Sequence, residues 1–265
     1  MAKHPTRDEV LDVLQEIAPL ELAAEWDNVG LVVTARRSGP VARVLLTIDL
    51  TEAVVAEAAA MRADLVVAYH PPIFRGIKKL DESDPKQRAA LLAFSRGIDV
   101  YSPHTALDAA PGGVADWLCE GLAGAAVPEQ IEVLGDGEFG RVLQLPKATT
   151  VAALLPRIRA MLSVRTLRIA HTKAGGKHKV KRIAVAAGSG GSILEKARAD
   201  LWLTGELSHH DALAAVARGA CVVLGEHSNT ERGYLRVLQK RLQSPFGKAL
   251  VVRAAKSDVD PFTIG

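Results

Sequence analysis

Residues 41–74 read VARVLLTIDLTEAVVAEAAAMRADLVVAYHPPIF, and the change of rhythm inside them is the most telling feature of the chain. VARVLLTIDL is a nearly unbroken β-branched and apolar run, which suits a strand covered on both faces. Thr51 then offers a helix cap, and TEAVVAEAAAMRA continues as a helix former. DLVVAYHPPIF returns to strand character until the two prolines stop it.

Working outward, DPKQRAALLAFSRGI reads as a helix and DVYSPHTALD as a strand running into a loop. Upstream, Val10, Leu11, Leu14 and Ile17 repeat at helical spacing, with Thr6 as cap and Glu9 three residues on. The alternation predicts an α/β fold with a mainly parallel or mixed sheet covered by helices. FGRVLQLPKATTVAALLPRIRAMLSVRTLRIAH gives strand, helix, strand, and further strand–helix pairs follow RIAVAAGSGG and DLWLTGELSHH. Regular periodicity lapses between Gly121 and Val127, so the reading has two α/β domains: residues 1–125 with 221–265, and 126–220.

Composition narrows the function. Hydrophobic residues at 48% can bury a substantial core, and with only 4% aromatics, Ala, Val, Leu and Ile must fill it. A net charge of +3 with scattered basic residues argues against a nucleic-acid binder. The densest basic stretch, Lys173 to Arg182, lacks interleaved aromatics and reads as a solvated hairpin or loop. Cys119 and Cys221 lie singly in apolar surroundings, as buried reduced thiols do. No apolar run approaches roughly 18 residues and the N-terminus lacks an apolar leader, so no membrane association and a cytoplasmic location are expected.

The chain has eight histidines, and five follow the ends of apolar strands: His70, His104, His209, His210 and His227. Asp108 accompanies His104, and Glu231 follows His227 by four positions, which puts the latter pair on one face if the segment is helical. Imidazole and carboxylate together suit a divalent transition metal such as zinc, iron, manganese or nickel.

The segments EWDNVGL (25–31), YHPPIF (69–74), SPHTALDAAPGGVADWL (102–118), TGELSHHDAL (204–213) and HSNTERGYL (227–235) resemble, in order and spacing, the signatures of the Nif-three-like family, also called GTP cyclohydrolase 1 type 2 homologues. The resemblance covers nearly the whole chain. It implies two interlinked α/β domains, a dinuclear metal centre in the crevice between them, and a homohexamer. Carried over by position, the implied ligands are His70, Asp108, His227 and Glu231, with Glu231 bridging and the first domain carrying most of them; one or two ions per subunit are expected. The family pattern usually has two histidines before the proline, and here the first is Tyr69. A phenol starts near a pKa of about 10 and is a poor ligand unless deprotonated. Tyr69 therefore either weakens the second metal position or donates a hydrogen bond to water there.

The remaining candidates carry two readings each. His104 is a proton-transfer group or a structural hydrogen-bond donor, and His209 and His210 are expected to line the cavity. GSGGS (188–192) is a tight turn or, through helix N-terminal amides, a phosphate seat. Pro111 to Gly113 is a turn into a helix, and Asp27 with Asn28 closes the site mouth or shapes a turn. The function expected is metal-dependent hydrolysis of a small phosphorylated or nucleotide-like substrate, with His104 and Glu231 managing protons. The alternative is a non-catalytic metal-containing binding or regulatory ring.

Overall fold

The computed structural model describes residues 3–35, 39–135 and 137–263, and within them the chain is α/β with mixed sheets covered by helices. It opens with α1 (Arg7–Ile17), whose capping box has Thr6 accepting from the Glu9 amide and Glu9 accepting from the Thr6 amide. Then come β1 (Gly30–Val33), β2 (Arg43–Thr47), α2 (Glu52–Met61), β3 (Leu65–Ala68), α3 (Pro85–Ser95), β4 (Asp99–Ser102) and α4 (His104–Ala109). Thr51 and Asp84 cap α2 and α3 through their side chains. HTALD, expected as loop, is α4.

The middle of the chain supplies α5 (Val114–Ala123), β5 (Gln130–Leu134), β6 (Gly140–Thr150), α6 (Val151–Leu162), β7 (Arg168–Ala170), β8 (Lys179–Ala186), α7 (Gly191–Leu194), β9 (Leu201–Thr204), α8 (His209–Ala217), β10 (Cys221–Leu224) and α9 (Asn229–Arg232). The chain ends with α10 (Leu235–Gln243) and β11 (Val251–Ala254).

Two compact units result: Met1–Ala110 with Leu235–Gly265, and Pro111–Tyr234. The first holds a five-stranded sheet in the order β1-β4-β3-β2-β11, parallel except for β1. Leu45, Val66 and Val100 face the apolar sides of α2 and α3. The second holds a six-stranded sheet in the order β5-β6-β8-β9-β10-β7, parallel only across β8, β9 and β10. Its strands show the two-residue alternation of a sheet covered on both sides. Ile183 and Val185 pack with α5 and α6, while Ala184 and Ala186 pack with α7 and α8.

The unit boundaries fall at 110/111 and 234/235 rather than at 125/126 and 220/221. Leu118, Cys119 and Leu122 of α5 are wholly buried in the second core, each such side chain contributing roughly 1.5–3 kcal/mol. The lapse at Gly121 is a packing device: a Cβ there would run into Met161 of α6. Strand β10 pairs in parallel with β9 and belongs to the second sheet. Hence His70 and Asp108 lie in the first unit, and His227 and Glu231 in the second. No helix among the described residues is long and apolar enough to cross a membrane.

Candidate metal centre

In the first unit the site is built on the C-terminal ends of β2, β3 and β4. Thr47 pairs with Ala68. The parallel ladder continues past both strands, with the His70 amide donating to the Ile48 carbonyl at 3.0 Å. That register sets His70 beside Asp49, and His70 Nδ1 lies 3.0 Å from Asp49 Oδ1. A carboxylate only accepts, so the proton is on Nδ1 and the lone pair of the ring is on Nε2. The strand end is held from behind by Asp258, whose carboxylate accepts from the Ile48 amide at 2.7 Å.

Tyr69 is buried, and its hydroxyl donates to Asp108 Oδ1 at 2.5 Å. The phenol is therefore protonated and acts on the carboxylate of α4, fixing which way Asp108 turns. Its backbone is fixed in turn by Ser102, whose hydroxyl donates to the Tyr69 carbonyl at 2.8 Å.

His104 begins α4 in a left-handed conformation, φ 29°. Its Nδ1 lies 2.8 Å from Asp27 Oδ1, and the other Asp27 oxygen accepts from the Thr105 amide and hydroxyl. Burial pushes the Asp27 carboxyl up, but hydrogen bonds from His104 and Thr105 outweigh it and hold the group below the usual aspartate value. The rings of Tyr69, His70 and His104 stand nearly edge to face, 5.0–5.7 Å apart.

The second unit repeats the device. Glu206 follows β9 and His227 follows β10, and His227 Nδ1 lies 2.9 Å from Glu206 Oε1. The carboxylate and the histidine are 21 positions apart in both units. Here Thr204 pairs with Leu224, one residue off that spacing. The left-handed Glu226, φ 66°, takes up the extra residue, so that His227 rather than Glu226 meets Glu206. His227 Nε2 is 3.4 Å from Oε1 of Glu231, whose side chain is buried in α9. The four-residue spacing works as expected, although α9 starts two residues after His227.

GSGGS forms the wall behind this pair. Gly188, φ +54°, sits so close that a Cβ would lie 2.7 Å from Glu231 Oε1 and 2.8 Å from His227 Nε2. Its amide donates to Thr230 Oγ1, and the Gly190 amide donates to Thr204 Oγ1. With those amides engaged and only a four-residue α7 after them, the loop is a tight turn that shapes the site rather than a phosphate seat. His209 and His210 are exposed in the first turn of α8, ring to ring. The basic stretch is a loop running into β8, and Lys181 and Arg182 pair with Glu129 and Glu132. Pro111 to Gly113 is the turn into α5.

Among the described residues, three histidines therefore have Nδ1 held by a carboxylate: His70, His104 and His227. His4 and His178 meet backbone carbonyls or a threonine hydroxyl instead. A carboxylate on Nδ1 fixes the tautomer and raises the basicity of Nε2, the arrangement common behind metal-ligating histidines. In the second unit the Gly188 cradle and this donor chemistry fit a divalent transition metal at His227 and Glu231. Asp27, Asp49 and Glu206 were not anticipated as imidazole partners. The signal lay in TIDL and TGEL, carboxylates leaving the strands that neighbour the histidine strands in parallel.

Residues 5–261 match the model of the family described as Duf34/NIF3 (NGG1p interacting factor 3). The chain is 42% identical to "Protein NIF3 homolog" of Schizosaccharomyces pombe, over 99% of each chain. It is 36% identical to "NIF3-like protein 1" of Drosophila melanogaster, over 95% of this chain and 87% of that one. A Bacillus cereus protein related to NIF3 shares the fold at a TM-score of 0.86 and 20% identity, with all of both chains covered.

Proposed function

The chain belongs to the Duf34/NIF3 family, and from that premise we propose that it is a metal-dependent hydrolase of a small phosphorylated or nucleotide-like substrate. The observation that supports this best is the set of carboxylate-held imidazoles at strand ends. In this reading His70 and Asp108 of the first unit and His227 and Glu231 of the second would hold one or two divalent ions, of zinc, iron, manganese or nickel. Such an ion acidifies water and polarises a substrate oxygen.

The residues divide the remaining work. Asp49 and Glu206 aim the Nε2 atoms of His70 and His227, and the Tyr69 hydroxyl orients Asp108. His104 takes up a proton at Nε2, and Asp27 stabilises the imidazolium that forms through its bond to Nδ1. The Asp27–His104 pair thus has the logic of an acid–base dyad oriented by a buried carboxylate. Glu231 binds and stands ready to receive a proton beside His227. The chain is expected to assemble as a homohexamer, which light scattering checks directly.

The test is metal analysis of the protein as purified, then a panel of phosphorylated and nucleotide substrates with metal present, stripped by chelator and restored. Turnover that follows the metal supports the proposal. A metal-loaded protein that turns over nothing on the panel favours the non-catalytic ring.

A further inference from the structure

We infer that Trp26 and Phe74 form a binding corner for a planar heteroaromatic ring of the substrate, set over His104. The inference deepens the hydrolase reading, because His104 is that reading's proton-transfer group. Trp26 is 63% exposed and Phe74 38%, unusual for side chains that normally bury most of their area. Their rings meet edge to face with centroids 5.8 Å apart and an interplanar angle of 65°. Each also stands nearly perpendicular to the His104 ring, at 6.3 and 6.0 Å. Three rings at steep mutual angles make a corner in which a flat ring stacks on one wall and meets another with its edge.

The corner is held in shape by specific bonds. Asn28 Nδ2 donates to the Ile73 carbonyl at 2.5 Å, tying the loop of Trp26 to that of Phe74. The Ala24 amide donates to Thr105 Oγ1, and Asp27, its side chain fully buried, grips Thr105 and His104. Exposed aromatics on loops fixed this way, around one oriented polar group, match the composition of a small-molecule pocket. With its Nδ1 proton held by Asp27, His104 Nε2 would accept from an N–H or amino group on the edge of the ring.

The chain's tryptophans are Trp26, Trp117 and Trp202; Trp117 packs against the second core and Trp202 is buried, so a change of emission on docking comes chiefly from Trp26. The experiment titrates the full-length, metal-containing protein with guanosine, adenosine and uridine monophosphates, and with ribose phosphate as the ringless probe. Saturable quenching by a nucleotide is expected, with ribose phosphate at least about tenfold weaker. By calorimetry, Trp26→Ala should weaken nucleotide binding about tenfold or more, Trp26→Phe should restore most of it, and Phe74→Leu should weaken it independently. Metal content should be unchanged in all three variants. Equal binding of ribose phosphate, no saturable binding of any nucleotide at millimolar concentration, or full affinity in Trp26→Ala would overturn the inference. So would a Trp26→Ala protein that binds normally but loses its assembled mass, since the face would then be a contact between copies. A wild-type protein that binds nucleotide yet carries no metal would sink the hydrolase reading and leave the ring corner standing.

Discussion

Replacing Gly188 by alanine adds one methyl group at a place where the structure leaves no room for it. The new Cβ would stand 2.7 Å from Glu231 Oε1 and 2.8 Å from His227 Nε2, whereas ordinary contact starts at 3.4 Å. The two groups must retreat by about 0.6–0.7 Å, some threefold more than the roughly 0.2 Å that metal–ligand distances tolerate. Alanine at φ +54° also costs about 1–2 kcal/mol of backbone strain. Gly175 separates the two effects, because it has φ +56° and a methyl group added there would meet nothing within 4 Å. Both variants should melt several degrees lower, at about 2–4 °C per kcal/mol for a protein of this size. Only Gly188→Ala should bind metal about ten- to a hundredfold more weakly, read by calorimetric titration of chelator-stripped protein and by metal analysis. If the two variants took up metal alike, His227 and Glu231 would not be ligands.

Three further outcomes follow from the same geometry. Glu231→Ala should lose at least one ion per chain, and full metal content in that variant would remove Glu231 from the ligand set. Tyr69→Phe should keep its metal but hold it about tenfold more weakly, since Asp108 loses the phenol that orients it; unchanged affinity would show that the bond has no bearing on the ligand. Asp27→Asn should be less stable than the parent at neutral pH and lose most turnover at His104. Because the Asp27 carboxyl is depressed in the folded chain, its contribution is present above the ordinary aspartate value of about 4 and fades as pH falls through the lower folded value. Denaturant melts of the two proteins should therefore converge in acid, and a gap that persists there would refute the assignment.

Local signals carried much of the architecture. The Thr6/Glu9 box, the Thr51 cap and the apolar strands at 43–47 and 65–68 are written in a few adjacent residues, and the structure has them all. What was not legible depends on neighbours distant in sequence. Gly121 reads as a breaker until Met161 is placed against it. Leu118 and Cys221 take their domain from the partners they bury against, which hydrophobicity alone does not name. The ligand candidates stood out because histidines at strand ends are uncommon, and the family signatures pointed to the same residues. Their carboxylate partners did not, because an exposed aspartate such as Asp49 looks like any other until the strand register is known.

The paired strand ends also say where the chain can change length. His70 meets Asp49, and His227 meets Glu206, only because a fixed number of residues leaves each strand after its last paired position. Residues inserted into the helix or loop joining two such strands would lengthen the crossover and leave the ladder alone. One residue added between Thr47 and Asp49, or between Ala68 and His70, would turn the following side chain toward the opposite face of the sheet. Glu226 shows the one local remedy, a single left-handed residue that absorbs the offset before His227. Natural length variation in relatives should therefore gather in the crossovers and be absent from these short exits, unless a left-handed residue accompanies it.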